Sequence, residues 1–183
     1  MKFIVDSSTL LKELQKLSGV LSTNNTLPIL DNFLFDVSDG KISIYASDLE
    51  TTMMTKMKAQ AGENGKIAIP ARLLLDTLKT FSSQPLTFLV DSNNFGIEIS
   101  SENGQYKLAG QNAEEFPKVP ILESASSAQI NADILLNAIH KTLFAAGNDE
   151  LRPVMSGVFC EFSAEKISFV ATDAHKLVCH SRT

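Results

Sequence analysis

The sequence has no tryptophan and, among its 183 residues, two cysteines and three histidines. Two cysteines cannot form the disulfide framework of a small secreted domain, so we expect Cys160 and Cys179 to be buried or half-buried reduced thiols. No apolar run approaches the roughly 18 residues that span a membrane. Because the start MKFIVDSS turns polar at Asp6, we expect no signal peptide and a cytoplasmic protein without a membrane partner.

Motifs for catalysis and metal binding are absent as well. The sequence lacks the G-x-S-x-G, Walker and G-x-G-x-x-G patterns. The three histidines lack the spacing of metal ligands. We therefore expect no metal, no cofactor and no enzymatic activity. A hydrolytic site at Thr172, Asp173 and His175 remains as a weaker alternative, because residues 173 and 175 would face the same side of a strand.

The most informative feature that is present is an internal repeat. Residues 1–58 align with residues 126–183 at a constant offset of 125, without a gap. A weaker third copy lies between them, since Ile69–Leu75 aligns with Val5–Leu11 at an offset of 64. One supersecondary unit is therefore used three times. The matching positions of the two strong copies include Pro28 and Pro153, Lys41-Ile42-Ser43 and Lys166-Ile167-Ser168, and Asp48 and Asp173.

Each copy is predicted to fold as a βαβββ unit. A short apolar strand opens the three copies at Lys2–Val5, Lys66–Ile69 and Ser127–Ile130. A helix of about three turns follows, starting at an aspartate, a proline and an asparagine respectively, with apolar residues along one face. Alternating apolar residues broken by turn residues then predict further strands, including a hairpin around Ser38-Asp39-Gly40.

Domain boundaries are predicted from where the strand pattern lapses. The segment Gln111–Ser127 contains two prolines and a cluster of small polar residues, which is typical of a linker. We expect a first domain of two units at 1–120, a linker at 121–127 and an incomplete second domain at 128–183. A chain that stops after one unit of its second domain looks like a fragment of a longer protein.

The predicted helices differ in charge from the rest of the chain. The net charge is −5, which argues against tight binding of nucleic acid by the surface as a whole. The helices nevertheless carry five basic and three acidic residues, and Lys12 and Lys16 share a face away from the leucines. Taken alone, these charges are better explained by ordinary solvation of the helix faces. The basic residues are Lys12, Lys16, Arg72, Lys79 and Lys141.

Several motifs together resemble one family. They are MKFIVDSSTLLKELQKLSGVLS at the start, TLPIL at 26–30, SDLE at 47–50, IPAR at 69–72, EFPKVP at 115–120 and ATDAHKL at 171–177. In this order they resemble the bacterial DNA polymerase III beta subunit family, the replication sliding clamps. The resemblance implies an α+β DNA-clamp fold of repeated βαβββ units, with helices lining the inner face and sheets outside. It also implies that this chain covers the first one and a half of three domains.

The resemblance implies a role in replication. Full-length protomers would form a ring-shaped homodimer that encircles double-stranded DNA without reading its sequence and so confers processivity on the replicative polymerase. Asn24 stands where relatives can carry an arginine that contacts DNA. The residues implied to face DNA are Lys12, Lys16, Asn24, Arg72, Lys79 and Lys141.

The resemblance also implies two protein-binding surfaces. A pocket at Met155, Thr172, Ala174, His175, Lys176 and Leu177 would take a short linear motif from the polymerase, the clamp loader and repair polymerases. Ala174 stands where glycine is common and Lys176 where arginine is common, so we expect a different motif preference. An edge strand with Gln105, Tyr106 and Lys107 would form the ring interface, with Tyr106 as its aromatic anchor.

Two alternatives of a different class stay open. The chain could be a βαβββ scaffold that binds peptides and has no role on DNA, or an enzyme that uses Asp173 and His175. Salt-dependent association with DNA would favour the clamp. Peptide binding without loading or sliding would favour the scaffold, and turnover that disappears in His175→Ala would favour the enzyme.

Overall fold

The computed structural model describes residues 1–21, 27–118, 127–149 and 151–183. The chain divides into two compact units, Met1–Pro120 and Ile121–Thr183, which we call unit 1 and unit 2. Most of the predicted linker lies outside the described residues, and Ser127, its last residue, has no regular structure.

Unit 1 contains two βαβββ repeats, as predicted. The first repeat comprises β1 (Lys2–Asp6), α1 (Ser7–Leu17), β2 (Asn32–Ser38), β3 (Lys41–Ser47) and β4 (Thr52–Lys58). After a short strand β5 (Gln60–Ala61), the second repeat comprises β6 (Gly65–Pro70), α2 (Ala71–Lys79), β7 (Pro85–Val90), β8 (Gly96–Ser101) and β9 (Gly104–Ala109). Short 3₁₀ turns lie at Ser18–Val20, Pro28–Asp31 and Ala113–Glu115.

The two repeats of unit 1 exchange their first strands. One antiparallel sheet has the order β4-β3-β2-β6, and the other has the order β5-β1-β7-β8-β9. β6 therefore joins the sheet of the first repeat, where Phe35 lies opposite Ile67. β1 joins the sheet of the second repeat, where Phe3 lies opposite Phe88. Each repeat thus supplies a strand that the other requires.

One hydrophobic core joins the two sheets and both helices of unit 1. The Phe3 ring stacks on Phe88 with 4.7 Å between ring centroids, and α1 contacts α2. Burying side chains of this size is the main source of stability for such a domain. The largest fully buried side chains of this core are Phe3, Phe33, Phe35, Phe88, Leu10, Leu14, Leu17, Ile42, Ile44 and Ile67.

Unit 2 contains a single repeat. Its helix α3 (Ala132–Thr142) is followed by 3₁₀ turns at Leu143–Ala145 and Pro153–Ser156 and by β10 (Phe159–Phe162), β11 (Ile167–Thr172) and β12 (Leu177–Arg182). The three strands form an antiparallel sheet in the order β10-β11-β12, and α3 contacts β11 and β12. The helix begins after Asn131, as predicted, and this side chain accepts a hydrogen bond from the Asp133 amide at 2.8 Å.

Two predictions about unit 2 are wrong. Residues 127–130 form no strand, because a first strand pairs with a different repeat and the described residues of unit 2 contain only one. Cys160 and Cys179 are free but exposed rather than buried. Cys160 lies on the edge strand β10, at the position that corresponds to Phe35 of unit 1. In unit 1, strand β6 of the second repeat pairs with the strand that carries Phe35.

Candidate nucleic-acid and peptide interfaces

The basic residues of the three helices lie on exposed helix faces. Lys12, Arg72 and Lys141 are exposed and form no ion pair with any described residue. Lys16 pairs with Glu13 at 2.6 Å, and Lys79 pairs with Asp76 at 2.9 Å. Both pairs have an exposed lysine, and exposed pairs of this kind contribute little stability, so a phosphate can compete for the ammonium group. The predicted DNA contact Asn24 lies outside the described residues.

Glu13 lowers the positive charge of α1 in a way that the composition did not indicate. Its carboxylate accepts hydrogen bonds from the Lys16 ammonium and from the Thr55 hydroxyl of β4. These two hydrogen bonds lower the pKa of Glu13. The carboxylate therefore stays ionised beside Lys16, and Lys12 is the residue of this helix with an uncompensated positive charge among the described residues. The spacing of Glu13 and Lys16 was the available sequence signal.

The predicted peptide-binding residues 172–177 form the tight turn between β11 and β12. The Asp173 carboxylate accepts hydrogen bonds from the amides of His175 at 3.0 Å and Lys176 at 2.8 Å, and it pairs with the Lys176 ammonium. The Lys176 side chain and these amides hold the pKa of Asp173 well below its usual range. The Thr172 hydroxyl donates to the Lys176 carbonyl at 2.7 Å. Lys176 is therefore partly occupied within its own turn.

The turn contradicts the hydrolytic alternative, which requires Asp173 and His175 on the same side of a strand. Residues 173–175 lie between strands rather than on one, and Asp173 accepts from the backbone amide of His175. A carboxylate that orients a catalytic histidine would accept from its imidazole. Among the described residues, no group of three or more metal-ligating side chains is present.

The same turn occurs in unit 1, at the corresponding position of the repeat. The Asp48 carboxylate accepts from the amides of Glu50 at 3.1 Å and Thr51 at 2.6 Å. Leu49, with φ of +80°, corresponds to Ala174, with φ of +74°. Both residues adopt a left-handed conformation that favours glycine. The turn is thus a feature of the repeat, and its side chains must carry any peptide specificity.

The structure brings Met155 to the turn through Gly147. The Gly147 amide donates to the Met155 carbonyl at 2.8 Å. A Cβ atom placed on Gly147 would lie 3.6 Å from this carbonyl oxygen and 3.6 Å from the Asp173 Cα, so the three backbones are in close contact. Met155 is half-buried, whereas Val154 and Leu177 are 87% and 66% exposed. Unit 2 therefore presents apolar side chains around the turn.

Unit 1 covers the corresponding surface with its own chain. Ile29 and Leu30, which correspond to Val154 and Met155, are 6% and 1% exposed. They pack in a small cluster with Leu34, Ala68 and Phe116. The packing role of Phe116 was not predicted, because the EFPKVP motif indicated only the family. An aromatic side chain flanked by proline in a polar segment was the signal that could have found it.

The predicted interface residues lie on an edge strand. β9 is the last strand of its sheet, and Gln105, Tyr106 and Lys107 are exposed on it. The Tyr106 ring meets Phe81 edge to face with 5.0 Å between centroids. Phe81 follows α2 and packs against the core, so the Tyr106 ring has a fixed orientation while it remains 37% exposed.

None of the described helices is both long and apolar enough to cross a membrane.

Comparison with known proteins identifies two family matches. Residues 1–120 match the model of the DNA polymerase III beta subunit, N-terminal domain, and residues 129–182 match the model of its central domain. The beta sliding clamp of Synechococcus elongatus is 31% identical over 179 residues, which are 97% of this chain and 48% of that protein. The beta sliding clamp of Escherichia coli is 31% identical over 181 residues, which are 98% of this chain and 49% of that protein.

Solved structures agree with these matches. The DNA polymerase sliding clamp from Bacillus subtilis has a TM-score of 0.92 and 26% identity, and the match covers 100% of this chain and 50% of that one. The DNA polymerase III subunit beta from Pseudomonas aeruginosa has a TM-score of 0.90 and 28% identity, with the same coverage. The chain thus spans about half the length of the relatives it matches. It belongs to the DNA polymerase III beta subunit family, the bacterial sliding clamps, with unit 1 matching the N-terminal domain and unit 2 the central domain.

Proposed function

We propose that this protein is a non-catalytic DNA sliding clamp that confers processivity on a replicative DNA polymerase in the cytoplasm. The observation that carries the proposal is the match of both units, in order, to successive domains of one clamp family. A ring of two full-length protomers would encircle duplex DNA, with the helices inside. The polymerase, the clamp loader and repair polymerases would dock on the outside.

The charges of the described helices support the DNA contact. Lys12, Arg72 and Lys141 are exposed without an ion pair among the described residues, and Lys16 and Lys79 can exchange a surface carboxylate for a phosphate. Contacts of lysine and arginine with phosphates release counterions and carry no base specificity, which suits a protein that slides. The net charge of −5 leaves the remaining surface acidic, so DNA is repelled from the outside.

The turn at 172–177 supports the docking of a short linear motif. Leu177 and Val154 offer exposed apolar surface beside half-buried Met155, and His175 and Lys176 offer polar groups at the rim. Lys176 already pairs with Asp173, so it presents less free charge than the arginine common in relatives. We expect a preference for apolar anchors over acidic residues in the motif.

The edge strand β9 supports the ring interface. An unpaired strand edge can add a strand from another protomer, and Tyr106 is held by Phe81 with part of its ring exposed. Gln105 and Lys107 flank it on the same edge.

The native gene product, loaded onto closed circular DNA by a clamp loader, tests the proposal. A topological clamp stays on circles and leaves when a nuclease linearises them. Equal dissociation from circular and linear DNA would contradict the ring, and peptide binding without any retention would favour the scaffold.

Charge variants test which face meets the DNA. Replacing Lys12, Arg72 and Lys141 by alanine is expected to lower the slope of log affinity against log salt by about 0.9 for each phosphate that is no longer neutralised. Lys41→Ala is the matched control, since Lys41 is exposed on β3 rather than on a helix. An equal effect of Lys41→Ala would contradict the assignment of DNA to the helices.

A further inference from the structure

We propose that Asn103 is a site of spontaneous deamidation, at which the side-chain amide is converted to a carboxyl group without an enzyme. Asn103 precedes Gly104 in the turn between β8 and β9 of unit 1. The proposal is independent of the clamp function, because it rests on the chemistry and the hydrogen bonds of this turn alone. The reactants are the protein and water.

The reaction joins the side chain of Asn103 to the main chain of Gly104. The Gly104 amide nitrogen attacks Cγ of Asn103, and the new C–N bond closes a succinimide ring. The C–N bond to the side-chain nitrogen breaks, and this nitrogen leaves as ammonia with the proton of the Gly104 amide. Water then opens the ring at either carbonyl carbon, which gives aspartate or isoaspartate. Nothing is oxidised or reduced.

Gly104 leaves the attacking nitrogen accessible. It has no side chain that would hinder closure of the ring. A Cβ atom placed on Gly104 would meet nothing within 4 Å beyond its neighbours in the chain. Asn103 and Gly104 are both exposed, so water can reach the succinimide.

The Asn103 carboxamide is free to turn toward the Gly104 nitrogen, because it forms no hydrogen bond with any described residue. The hydrogen bonds of the turn involve other groups. The Asn103 amide donates to the Ser101 hydroxyl at 3.3 Å, and this hydroxyl donates to the Gly104 carbonyl at 3.0 Å. The Glu102 amide donates to the Gln84 side-chain oxygen at 2.9 Å. These bonds hold the main chain of the turn and leave the reacting side chain unrestrained.

Asn64 provides a matched comparison within the same unit. It lies in the sequence Glu-Asn-Gly, as Asn103 does, and it is also exposed. Its carboxamide is held at both ends, since the oxygen accepts from the Asp39 amide at 3.1 Å and the nitrogen donates to the Asp39 carboxylate at 3.4 Å. Ring closure at Asn64 must first break these bonds. We therefore expect Asn103 to deamidate about fivefold faster or more.

Isoaspartate at position 103 would change the hairpin itself. It inserts a methylene group into the main chain between Ser101 and Gly104, which lie opposite each other in the β8–β9 pair. Loop length sets the register of a hairpin, so the longer turn strains this pairing. Both products also add a negative charge next to Glu102. The modified chain therefore differs from the original in mass and in charge.

Peptide mapping by mass spectrometry tests the proposal on the full chain, incubated in mildly alkaline buffer. We expect Asn103 to gain the mass difference between an amide and an acid about fivefold faster than Asn64, or more, in aspartate and isoaspartate forms. Gly104→Ala should slow the reaction at Asn103 severalfold, because the added methyl group hinders the attack. The substitution should leave the fold intact, since Gly104 has open space around it and no positive φ.

Unfolding in urea separates the effect of the structure from that of the sequence. Because the two sites share the sequence Glu-Asn-Gly, we expect Asn64 and Asn103 to deamidate at similar rates in the unfolded chain. Equal rates at the two sites in the folded chain would overturn the proposal. So would an Asn103 that stays unmodified in the folded chain over the time in which the unfolded chain reacts, or a rate at Asn103 that Gly104→Ala leaves unchanged.

Discussion

Units 1 and 2 contain the same repeat, yet they bury very different fractions of it. Phe35 is fully buried, and the corresponding Cys160 is exposed. Ile29 is 6% exposed, and the corresponding Val154 is 87% exposed. A capping side chain, Asp6 or Asn131, and the turn that Asp48 or Asp173 stabilises nevertheless occur in both units. Local structure therefore follows from the repeat itself, whereas burial depends on a second repeat and on the segment that carries Phe116.

The starts of the helices show the same difference. In unit 1 the Ser7 amide donates to the Gln84 carbonyl at 2.9 Å, and the Ser7 hydroxyl donates to the Ser82 carbonyl at 2.7 Å. The Asp6 cap also accepts from the Ser83 hydroxyl. These bonds fix α1 to the second repeat. In unit 2, Asn131 caps α3 within its own repeat.

Removing one aromatic ring from the core is expected to give the largest difference between the units. Phe35→Ala should lower the free energy of unfolding of unit 1 by about 3–5 kcal/mol, because it leaves a cavity beside Phe3. Cys160→Ala, at the corresponding exposed position, should change that of unit 2 by less than about 0.5 kcal/mol. Urea denaturation of the full chain, followed by probes in each unit, measures both. Similar destabilisation at the two positions would show that unit 2 has a buried core here.

Removing the helix caps is expected to have an intermediate effect. Asp6→Ala should cost about 1–2 kcal/mol, because the carboxylate accepts from the Thr9 amide and from Ser8, Thr9 and Ser83 hydroxyls. Asn131→Ala removes one hydrogen bond to an amide and should cost about 0.5–1 kcal/mol. Thermal unfolding of both variants measures the difference. A larger destabilisation by Asn131→Ala would contradict the role of the second repeat in fixing α1.

Lowering the pH should change the stability contributions of the two caps differently. Hydrogen bonds from Ser8 and Thr9 hold the pKa of Asp6 well below its usual range. A carboxyl whose folded pKa is lowered stabilises the fold fully above its unfolded pKa, near 4, and the stabilisation is lost as the pH falls below that value. Asn131 does not titrate in this range. The stability difference between the original chain and Asp6→Asn should therefore shrink below pH 4, while that for Asn131→Ala should not.

Replacing the residue with positive φ in the turn by glycine is expected to change the free energy of unfolding least, and by the same amount in both units. Ala174→Gly and Leu49→Gly should each stabilise by about 1 kcal/mol or less, because glycine adopts positive φ without a steric penalty. Chemical denaturation measures both. A stabilising effect in only one unit would show that the turn depends on its surroundings after all.

The sequence predicted local structure well because its signals are local. Asp6, Pro70 and Asn131 start the three helices as expected, and the hairpin around Asp39 and Gly40 is present. These features depend on capping and on turn chemistry within a few residues. The family resemblance predicted the fold, and the structural neighbours confirm it.

The failed predictions all depend on distant contacts. Residues 127–130 carry the pattern of a strand, but a strand forms only with a partner, and the partner of a first strand belongs to another repeat. The exposure of Cys160 has the same cause. The ion pairs of Lys16 and Lys176 are local, because each partner lies three residues earlier in the chain. The spacing was a sequence signal for both pairs, but side-chain geometry decides which basic residues remain available to a ligand.

Amide hydrogen exchange tests most directly the claim that a second repeat determines burial. We expect amides after residue 126 to exchange faster than those before residue 110. The contrast should be about a hundredfold or more between β10 and β2, whose strand neighbours differ. Faster exchange in β10 would support the dependence of burial on a second repeat. Equal protection of β10 and β2 would contradict it.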